Sequence, residues 1–354
     1  MKIIHTADLH MDSPLTSRLS HTAIAGRKRE LLSTFRRIIE DGEKRGAEAM
    51  IIAGDLFDSE EISARAIEYV SALIRSHPKM LFFYLPGNHE KRGFLPYAEE
   101  LVNLKIFPEG FGGYTLGDVT IVGCSENSEN MFDALTLDPA QKNIVVLHGE
   151  VREGRGGEIN LSMAKNRGID YIALGHYHTY REYRLDERGI AVYAGTPEGR
   201  GFDECGRGGY VLIDTDRIQS PEFIPIASRV LHIVEVDMTG YEGELEAEGR
   251  VSVALAEIPE CDLVRVRLSG KVAPGDRPNL AALRERFNKR YYHFEIEDAI
   301  RTELDIESLK HDISLKGEFI RLTLAREDLS EKERERILDC GLSALSGEEW
   351  MDKQ

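Results

Sequence analysis

The sequence has few cysteines, no long apolar run and no excess of basic residues. Its four cysteines, Cys124, Cys205, Cys261 and Cys340, lie more than 50 residues apart and form no CxxC pair. This spacing argues against a secreted disulfide scaffold and favours idle thiols in a reducing cytosol. No segment approaches the ~18 uncharged apolar residues that a membrane helix needs, and the N-terminal apolar run is too short for a signal peptide. We therefore expect a cytoplasmic protein with no membrane association.

The chain is acidic, with a formal net charge of −17 over 354 residues. Lys and Arg supply the energy of nonspecific phosphate binding, so this charge weakens the case for nonspecific nucleic-acid binding. It leaves room for a local basic groove or a metal-centred phosphate site. The length allows two or three domains, and the 42% of apolar residues are sufficient for a hydrophobic core.

Short apolar strands alternate with helical segments in the first half of the chain, which is typical of an α/β fold with a buried sheet. Beyond Tyr180 short strands follow one another without helices, which favours a mixed or second sheet. The predicted elements of the first hundred residues are strands at Lys2–Ala7, Ala49–Ala53 and Met80–Leu85 and helices at Ala23–Arg45 and Ser63–Ile74. We predict three parts: a main domain at 1–227, an α+β domain at 228–326, and an amphipathic C-terminal helix at 327–354.

Asp, His and Asn side chains cluster where the predicted strands end. In open α/β sheets the carboxyl ends of the strands converge on one crevice, so these residues can share a site. Carboxylate oxygens, amide oxygens and imidazole nitrogens are ligands for Mn, Fe, Co or Zn. The candidates are too many for one tetrahedral ion and suit two divalent ions, roughly 3.5–4 Å apart, that share a carboxylate. They are Asp8, His10, Asp55, Asn88, His148, His176 and His178.

The spacing of these residues also indicates a reaction. In Asp8-x-His10 and His176-x-His178 the alternate residues of an extended backbone lie on the same side and can face one centre. Two ions would polarise a phosphoryl oxygen and hold a hydroxide for in-line attack. His89, next to Asn88, is the spare histidine, and we predict that it protonates the departing oxygen as the general acid.

The ordered blocks D-x-H, G-D-x-x-D, G-N-H-E, H-G and G-H-x-H resemble those of the calcineurin-like metallophosphoesterase superfamily. The resemblance covers residues 1–226 and implies a two-sheet sandwich flanked by helices, in four αββα layers. It also implies that Asp8, His10, Asp55 and His178 hold one metal ion. The other ion would be held by Asp55, Asn88, His148 and His176, with His89 as the catalytic acid.

Three longer blocks, HTADLHMDSP, GDLFD and YAGTPEGRGFDECGRGGY, are similar to the SbcD nuclease family, including YhaO-like bacterial exonucleases. The following α+β domain resembles the cap that contacts DNA in those nucleases. This resemblance implies Mn-dependent 3′ to 5′ exonuclease activity on DNA in double-strand-break repair. It also implies an SbcC-like ATPase partner with a long coiled coil. Archaeal relatives carry a DNA-positioning His three residues after the bridging Asp, where this chain has Asp58, so DNA positioning stays open.

Several interpretations stay open at this stage. Arg200 and Arg207 either hold substrate phosphate oxygens or only add solubility, and Asp58 either orients a metal ligand or is a loop carboxylate. The charge of −17 favours a small-molecule phosphodiesterase or phosphatase of the same superfamily, whereas the extra domain favours DNA. The amphipathic helix Ser330–Leu345 either docks a coiled-coil ATPase or packs on its own domain. The sequence does not fix the oligomeric state, and a homodimer is one partner to consider.

Overall fold

The structure is a computed structural model of the chain, and it describes residues 1–15, 19, 21–90, 92–128, 130–152, 158–273, 276–302 and 309–345. The chain forms two compact units. The first comprises Met1–Ile233, Ile258–Arg265 and Phe287–Glu295, and the second comprises Val234–Glu257, Val266–Arg286 and Ile296–Gln354. In the described ranges, no helix combines the length and the apolar character that crossing a membrane requires.

Strands outnumber helices along the chain. The strands are β1 (Lys2–Thr6), β2 (Ala47–Ala53), β3 (Leu81–Leu85), β4 (Leu104–Ile106), β5 (Gly112–Leu116), β6 (Val119–Gly123), β7 (Lys142–His148), β8 (Tyr171–Gly175), β9 (Arg181–Arg184), β10 (Ile190–Tyr193), β11 (Gly209–Asp214), β12 (Glu222–Pro225), β13 (Leu231–Asp237), β14 (Leu263–Ser269), β15 (Lys271–Val272), β16 (His293–Asp298) and β17 (Arg301–Thr302). The α-helices are α1 (His21–Lys44), α2 (Ala64–Ser76), α3 (Leu95–Ala98), α4 (Leu161–Ala164), α5 (Glu244–Ala254), α6 (Leu280–Asn288), α7 (Leu315–Leu324) and α8 (Glu331–Leu345).

The first unit contains two six-stranded mixed sheets. The strand order is β12-β11-β1-β2-β3-β4 in one sheet and β5-β6-β7-β8-β10-β9 in the other. Strands β1 to β4 run parallel, with Ile4 beside Met50 and Met50 beside Phe82. Strands β6, β7, β8 and β10 also run parallel, and antiparallel strands close both edges of this sheet. The carboxyl ends of the parallel strands within each sheet therefore lie along one edge of that sheet.

The layers of the first unit follow from the alternation of side chains along its strands, because successive residues point to opposite faces of a sheet. In β1, Ile4 belongs to a core cluster with Phe35 and Ile38 of α1. Its neighbour Ile3 belongs to the cluster between the two sheets, together with Ile144 of β7. The outer face of the second sheet packs in a third cluster that includes the short helix α4. This arrangement confirms the predicted two-sheet sandwich with helices on both outer faces.

The second unit contains the C-terminal helices. Leu338 and Leu342 of α8 are buried with Ile320 of α7 in one small cluster. Ser330 and Glu333 form the reciprocal hydrogen bonds of a capping box, 2.8 Å from the Ser330 amide to Glu333 Oε2 and 3.3 Å from the Glu333 amide to Ser330 Oγ. The strands that follow the two six-stranded sheets form a three-stranded sheet in the order β13-β14-β16 and the pair β15-β17. The predicted domain boundary at residue 227 stays a prediction.

Candidate metal centre

The predicted ligands follow strand ends on short loops with unusual backbone conformations. Asp8, His10, Asp55 and His176 all have positive φ, at 52°, 44°, 50° and 101°. Such conformations cost about 1–3 kcal/mol each and concentrate at functional sites, where packing elsewhere holds them in place. The loop after β1 is therefore not extended, contrary to what the D-x-H spacing predicts. Asp8 and His10 nevertheless belong to the same group of potential metal ligands.

A first group of ligand atoms is formed by Asp8, His10 and His178, within 4.8 Å of one another. The buried Asp8 carboxylate accepts hydrogen bonds from the amide of His176, at 2.8 and 3.1 Å. Burial raises the pKa of Asp8 above its usual range, which is the penalty for holding a carboxylate away from water. His10 is also fully buried, and burial lowers its pKa, so its neutral, ligating form is favoured.

A second group is formed by Asp55, His148 and His176, also within 4.8 Å, with Asn88 beside it. His148 Nε2 lies 2.9 Å from Asn88 Oδ1 and 3.2 Å from Asp55 Oδ2. Burial would raise the pKa of Asp55, but the hydrogen bond and charge of His148 hold it well below the usual range. Asp55 Oδ2 also lies 3.8 Å from His10 Nε2 of the first group, so this one carboxylate lies between the two groups.

The hydrogen-bond partners of the imidazoles show that both groups suit cations. The Nδ1 atoms of His10 and His178 lie 2.9 and 2.8 Å from the carboxylates of Asp58 and Glu204, which only accept hydrogen bonds. The hydrogen of the neutral His178 ring therefore belongs on Nδ1. His10 Nδ1 makes no hydrogen bond to any described residue, but its short distance to Asp58 favours the same tautomer, which leaves the two Nε2 lone pairs facing each other across 3.2 Å. A bound cation would satisfy both lone pairs at once.

The same reasoning applies to the second group. His148 Nδ1 donates to the carbonyl oxygen of Ala53 at 2.9 Å, so its Nε2 lone pair faces two oxygen acceptors. Burial alone would lower the pKa of His148, but the hydrogen bond and charge of Asp55 outweigh it and raise that pKa to about 9. In the absence of a metal ion, His148 Nε2 is therefore protonated and donates to these oxygen atoms. The donor set of carboxylate, amide oxygen and imidazole suits a divalent metal of the Mn to Zn series.

His89 lies at the solvent side of these groups, with its side chain 44% exposed. Its Nδ1 lies 3.1 Å from the carbonyl oxygen of Asp58, and its Nε2 lies 4.0 Å from Asp55 Oδ2. A carbonyl oxygen only accepts, so Nδ1 carries a hydrogen and Nε2 is the atom that gains or loses a proton. The proton-exchanging nitrogen therefore faces the ligand groups.

Comparison with known families places the chain. Residues 1–180 match the family model described as calcineurin-like phosphoesterase. The chain belongs to the calcineurin-like phosphoesterase family. It is therefore a metal-dependent phosphoesterase, and the predicted superfamily is confirmed.

Curated relatives of this phosphoesterase include proteins named for DNA repair or as nucleases. The "DNA double-strand break repair protein Mre11" of Archaeoglobus fulgidus is 27% identical, over 90% of this chain and 81% of that protein. The "Uncharacterized metallophosphoesterase YhaO" of Bacillus subtilis is 28% identical, over 60% of this chain and 57% of that protein. A Staphylococcus epidermidis protein named as a subunit of the nuclease SbcCD is 24% identical, over 67% of this chain and 73% of that protein.

Arg200, Arg207 and Asp58, for which the sequence leaves a role in substrate binding open, have different surroundings in this phosphoesterase. Arg200 is engaged by two carboxylates, with Nη1 2.6 Å from Asp58 Oδ1 and Nη2 2.6 Å from Glu204 Oε1. Asp58 thus contacts both Arg200 and the ligand candidate His10. Arg207 is exposed in the loop that leads to β11. A role for any of them in binding substrate stays a prediction.

Sequence reasoning missed two buried glutamates at this centre. Glu204 contacts His178 and Arg200, and these partners lower its pKa to about 2 although burial would raise it. Glu90 is fully buried and accepts hydrogen bonds from the amides of Leu56 and Phe57, at 3.2 and 3.3 Å, so it fixes the loop that carries Asp55. Burial raises the pKa of Glu90 to about 7. Both lie inside the motif blocks of the sequence, which is the only signal that could have drawn attention to them.

A cleft of about 1220 Å³ opens beside the second group and is lined in part by Asn88, His148 and His176. Its charged lining is mainly acidic. Two basic residues face four glutamates, and Arg92 is paired with Glu109 at 2.5 Å. The charged residues of the lining are Arg92, Lys105, Glu99, Glu109, Glu126 and Glu158. Phosphate groups along this cleft would therefore depend on bound cations more than on basic side chains.

Proposed function

We propose that this phosphoesterase is a two-metal phosphodiesterase that acts on DNA, as an SbcD-like 3′ to 5′ exonuclease in DNA repair. The observation that carries the proposal is the convergence of the metal-ligand candidates and His89 from loops that follow β1, β2, β3, β7 and β8. Relatives named as the repair protein Mre11 and as part of a nuclease support DNA as the substrate. We also propose a cytoplasmic location, which the cysteine spacing of the sequence supports.

The proposed ligand assignment uses two metal positions that share Asp55. Position 1 is held by Asp8, His10, Asp55 and His178, and position 2 by Asp55, Asn88, His148 and His176. We propose Mn²⁺ as the ion, with Fe, Co or Zn as ions that the same ligands accept. When bound, the two ions would polarise the phosphoryl group and activate the attacking water.

His89 would protonate the leaving oxygen. Its Nδ1 is held by the carbonyl oxygen of Asp58, which fixes the ring with Nε2 toward the shared Asp55. In the imidazolium form, Nε2 donates its proton to the departing oxygen, and the ring is left in the tautomer that the Asp58 carbonyl already favours. The half-exposed position of the ring lets solvent reprotonate Nε2 for the next turnover.

The test is digestion of linear DNA labelled at either the 3′ or the 5′ end, with purified protein and Mn²⁺. We expect the 3′ label to be released first. His89→Ala should lower the cleavage rate by about 10²–10⁴-fold, the usual contribution of a general acid, with an unchanged metal content by elemental analysis. His77→Ala is the matched control, because this histidine contacts Glu43 beyond the other end of β3. Metal-loaded protein that leaves every DNA substrate intact would contradict the proposal.

A second candidate is a small-molecule phosphodiesterase or phosphatase with the same metal chemistry. The acidic lining of the cleft beside His148 and His176 favours it, since a long polyanion would be repelled there. Parallel rate measurements on bis-p-nitrophenyl phosphate, a phosphate monoester and linear DNA separate the two candidates. A preference for either small substrate over DNA would favour this second function.

A partner protein is also part of the proposal, since one relative is named as a subunit of SbcCD. Helices α7 and α8 bury Ile320, Leu338 and Leu342 together, while Leu315 and Leu322 are 70% and 61% exposed. The apolar face of the predicted docking helix Ser330–Leu345 thus packs on α7, so we propose that the exposed leucines of α7 dock an SbcC-like coiled-coil ATPase in its place. Leu322→Glu should leave DNA cleavage intact and abolish binding to a coiled-coil peptide of that ATPase. Unchanged binding would contradict this docking surface. The protein could also form a homodimer. The molecular mass measured in solution distinguishes a homodimer from a monomer.

A further inference from the structure

The two imidazoles of metal position 1 share a support that the described contacts of position 2 do not show. His10 Nδ1 lies at ion-pair distance, 2.9 Å, from Asp58 Oδ1, and His178 Nδ1 lies 2.8 Å from Glu204 Oε1. The Arg200 guanidinium joins the two carboxylates, at 2.6 Å from each. We call Asp58, Arg200 and Glu204 the carboxylate clamp. Its side chains are only 18%, 18% and 3% exposed.

One loop provides most of this support. The loop between β10 and β11 carries Arg200 and Glu204, and Glu204 also accepts from the Arg200 amide at 2.7 Å. In the same loop, Thr196 donates from its hydroxyl to the carbonyl oxygen of Asp8 at 3.0 Å and from its amide to that of His178 at 3.0 Å. The loop therefore fixes the backbone as well as the imidazoles of position 1.

Position 2 has a neutral support instead. His148 Nδ1 donates to the backbone carbonyl of Ala53. A carboxylate on the outer nitrogen makes an imidazole a stronger metal ligand than a carbonyl does, because its full negative charge stabilises charge donated to the metal. It also fixes the tautomer and the ring orientation. The carboxylates should thus orient the histidines of position 1 more firmly than the backbone carbonyl orients His148.

Arg200 stabilises this arrangement. Two carboxylates that are largely buried and near each other would repel, and each would lose hydration. The guanidinium offers separate nitrogens to the two carboxylates and offsets one negative charge. It also keeps each carboxylate turned toward its own histidine. This role explains why Arg200 is engaged within the protein and does not have a free fork for substrate phosphate.

We propose that the carboxylate clamp positions His10 and His178, and that it gives metal position 1 a higher affinity for a divalent ion than position 2. The inference rests on the proposed two-metal assignment and extends it. The clamp residues act through the ligands and are positioning residues. Substitutions of the clamp residues are expected to act on DNA cleavage only through their effect on metal affinity.

The test is a titration of the metal-free full-length protein with Mn²⁺, followed by calorimetry and by the electron paramagnetic resonance signal of free Mn²⁺. The wild type should show one tight and one weaker ion. Glu204→Gln keeps the shape of the side chain and removes its charge, and it should weaken the tight ion by about 10–100-fold. Arg200→Met should have a similar effect. The weaker ion should change by less than about twofold.

Asp203→Asn is the matched control. It removes a carboxylate from the adjacent, exposed position of the same loop, so a general loss of negative charge would show in this variant too. A double-mutant cycle tests the contact itself. In a His178→Ala background, which lacks the imidazole that Glu204 contacts, Glu204→Gln should cause a much smaller loss of affinity than it causes in the wild type.

The outcomes separate this inference from the proposed function. A wild type that never binds two ions would contradict the two-metal assignment itself. A wild type with two ions of equal affinity, or Glu204→Gln and Asp203→Asn with equal effects, would overturn the clamp alone. Additive losses in the His178→Ala background would overturn it as well. If Arg200→Met does not fold, as judged by its thermal transition, Glu204→Gln and the cycle still decide the question.

Discussion

Gly54 joins β2 to the shared carboxylate Asp55, and its substitution by alanine should disable one metal position and spare the other. The residue has φ of +87°, a conformation that L side chains rarely adopt. A Cβ at this position would lie 2.1 Å from Nδ1 and 2.5 Å from Cγ of His148. A side chain at position 54 is therefore disfavoured for two reasons: the positive φ of the backbone and the close packing of the His148 ring.

The size of the effect follows from these distances. Ordinary contacts begin at 3.4 Å, so in Gly54→Ala the His148 ring must retreat by roughly 1 Å or more. That movement breaks its 2.9 Å hydrogen bond to Ala53 and turns Nε2 away from Asp55. Metal ligands need placement within about 0.5 Å, so we expect at least about a 10-fold loss of affinity at position 2. Backbone strain of about 1 kcal/mol and overpacking of about 1–3 kcal/mol should lower the free energy of unfolding.

Gly46→Ala is the matched control, since Gly46 has nearly the same φ, +84°, and a Cβ there would meet nothing within 4 Å. The Gly46→Ala variant has the backbone strain but not the steric clash. Its free energy of unfolding should fall by about 1 kcal/mol, and it should bind both metal ions as the wild type does. Urea unfolding of the metal-free proteins measures the free energy of unfolding, and Mn²⁺ calorimetry measures affinity. The reasoning is refuted if the two variants bind Mn²⁺ alike, or if position 1 is lost instead of position 2.

Two further predictions concern buried ionisable side chains outside the two groups of metal-ligand candidates. His5 is fully buried between the Tyr171 hydroxyl and the carbonyl of Leu174, and burial lowers its pKa to about 3. As the pH falls below about 6.5, His5 is therefore protonated in the unfolded chain but stays neutral in the folded chain. The free energy of unfolding falls as the pH is lowered, because protons then favour the unfolded chain. As the pH is lowered from 6 to 4.5, the free energy of unfolding of the wild type should fall by about 1.4 kcal/mol per pH unit more than that of His5→Gln. Urea unfolding at several pH values measures both, and equal pH dependence in the two proteins would disprove this. Glu198 is 1% exposed and accepts hydrogen bonds from Arg27 at 2.9 Å and from the Thr34 hydroxyl at 2.8 Å, so Glu198→Ala should cost about 3–5 kcal/mol by breaking a buried ion-pair network. Arg326→Ala, which breaks an exposed pair, should leave the unfolding free energy nearly unchanged, and equal losses in thermal unfolding would contradict the burial argument.

The central strands and the convergence of the ligand candidates could be predicted because their cause is local and repeats along the chain. In the first sheet, Ile3 and Ile4 face different core layers, and the run of apolar residues in β2 has the same origin. A strand buried on both faces has a continuous apolar sequence, which is recognisable without a structure. Polar residues that directly follow such strands must lie at the edge of the sheet where the parallel strands end. This geometric rule brings Asp8 and His178 together although 170 positions separate them.

Two of the four edge strands of the six-stranded sheets, β4 and β5, could not be predicted because they lack that signal. β4 has three residues, and β5 begins with two glycines and alternates between half-buried and exposed positions. Both strands exist because a neighbouring strand offers them unpaired backbone groups, with Phe82 of β3 beside Leu104 and Val122 of β6 beside Gly113. Pairing of this kind depends on tertiary structure and overrides weak propensity.

Asp58 could be considered from the sequence as a residue that orients a metal ligand, but the contacts of Glu204 and Arg200 in the carboxylate clamp could not be predicted, for a different physical reason. A metal ligand must be Asp, His or a similar donor at the end of a strand, but its support can be any acceptor that reaches Nδ1, from a side chain or from the backbone. His178 uses the carboxylate of Glu204, and His148 uses the carbonyl of Ala53, which every residue type would supply. Only the folded arrangement determines which kind of acceptor each histidine has. The two proposed metal positions, nearly equivalent in the residue types that form them, are therefore made different by contacts that the motifs do not specify, and the proposed difference in affinity follows from that asymmetry.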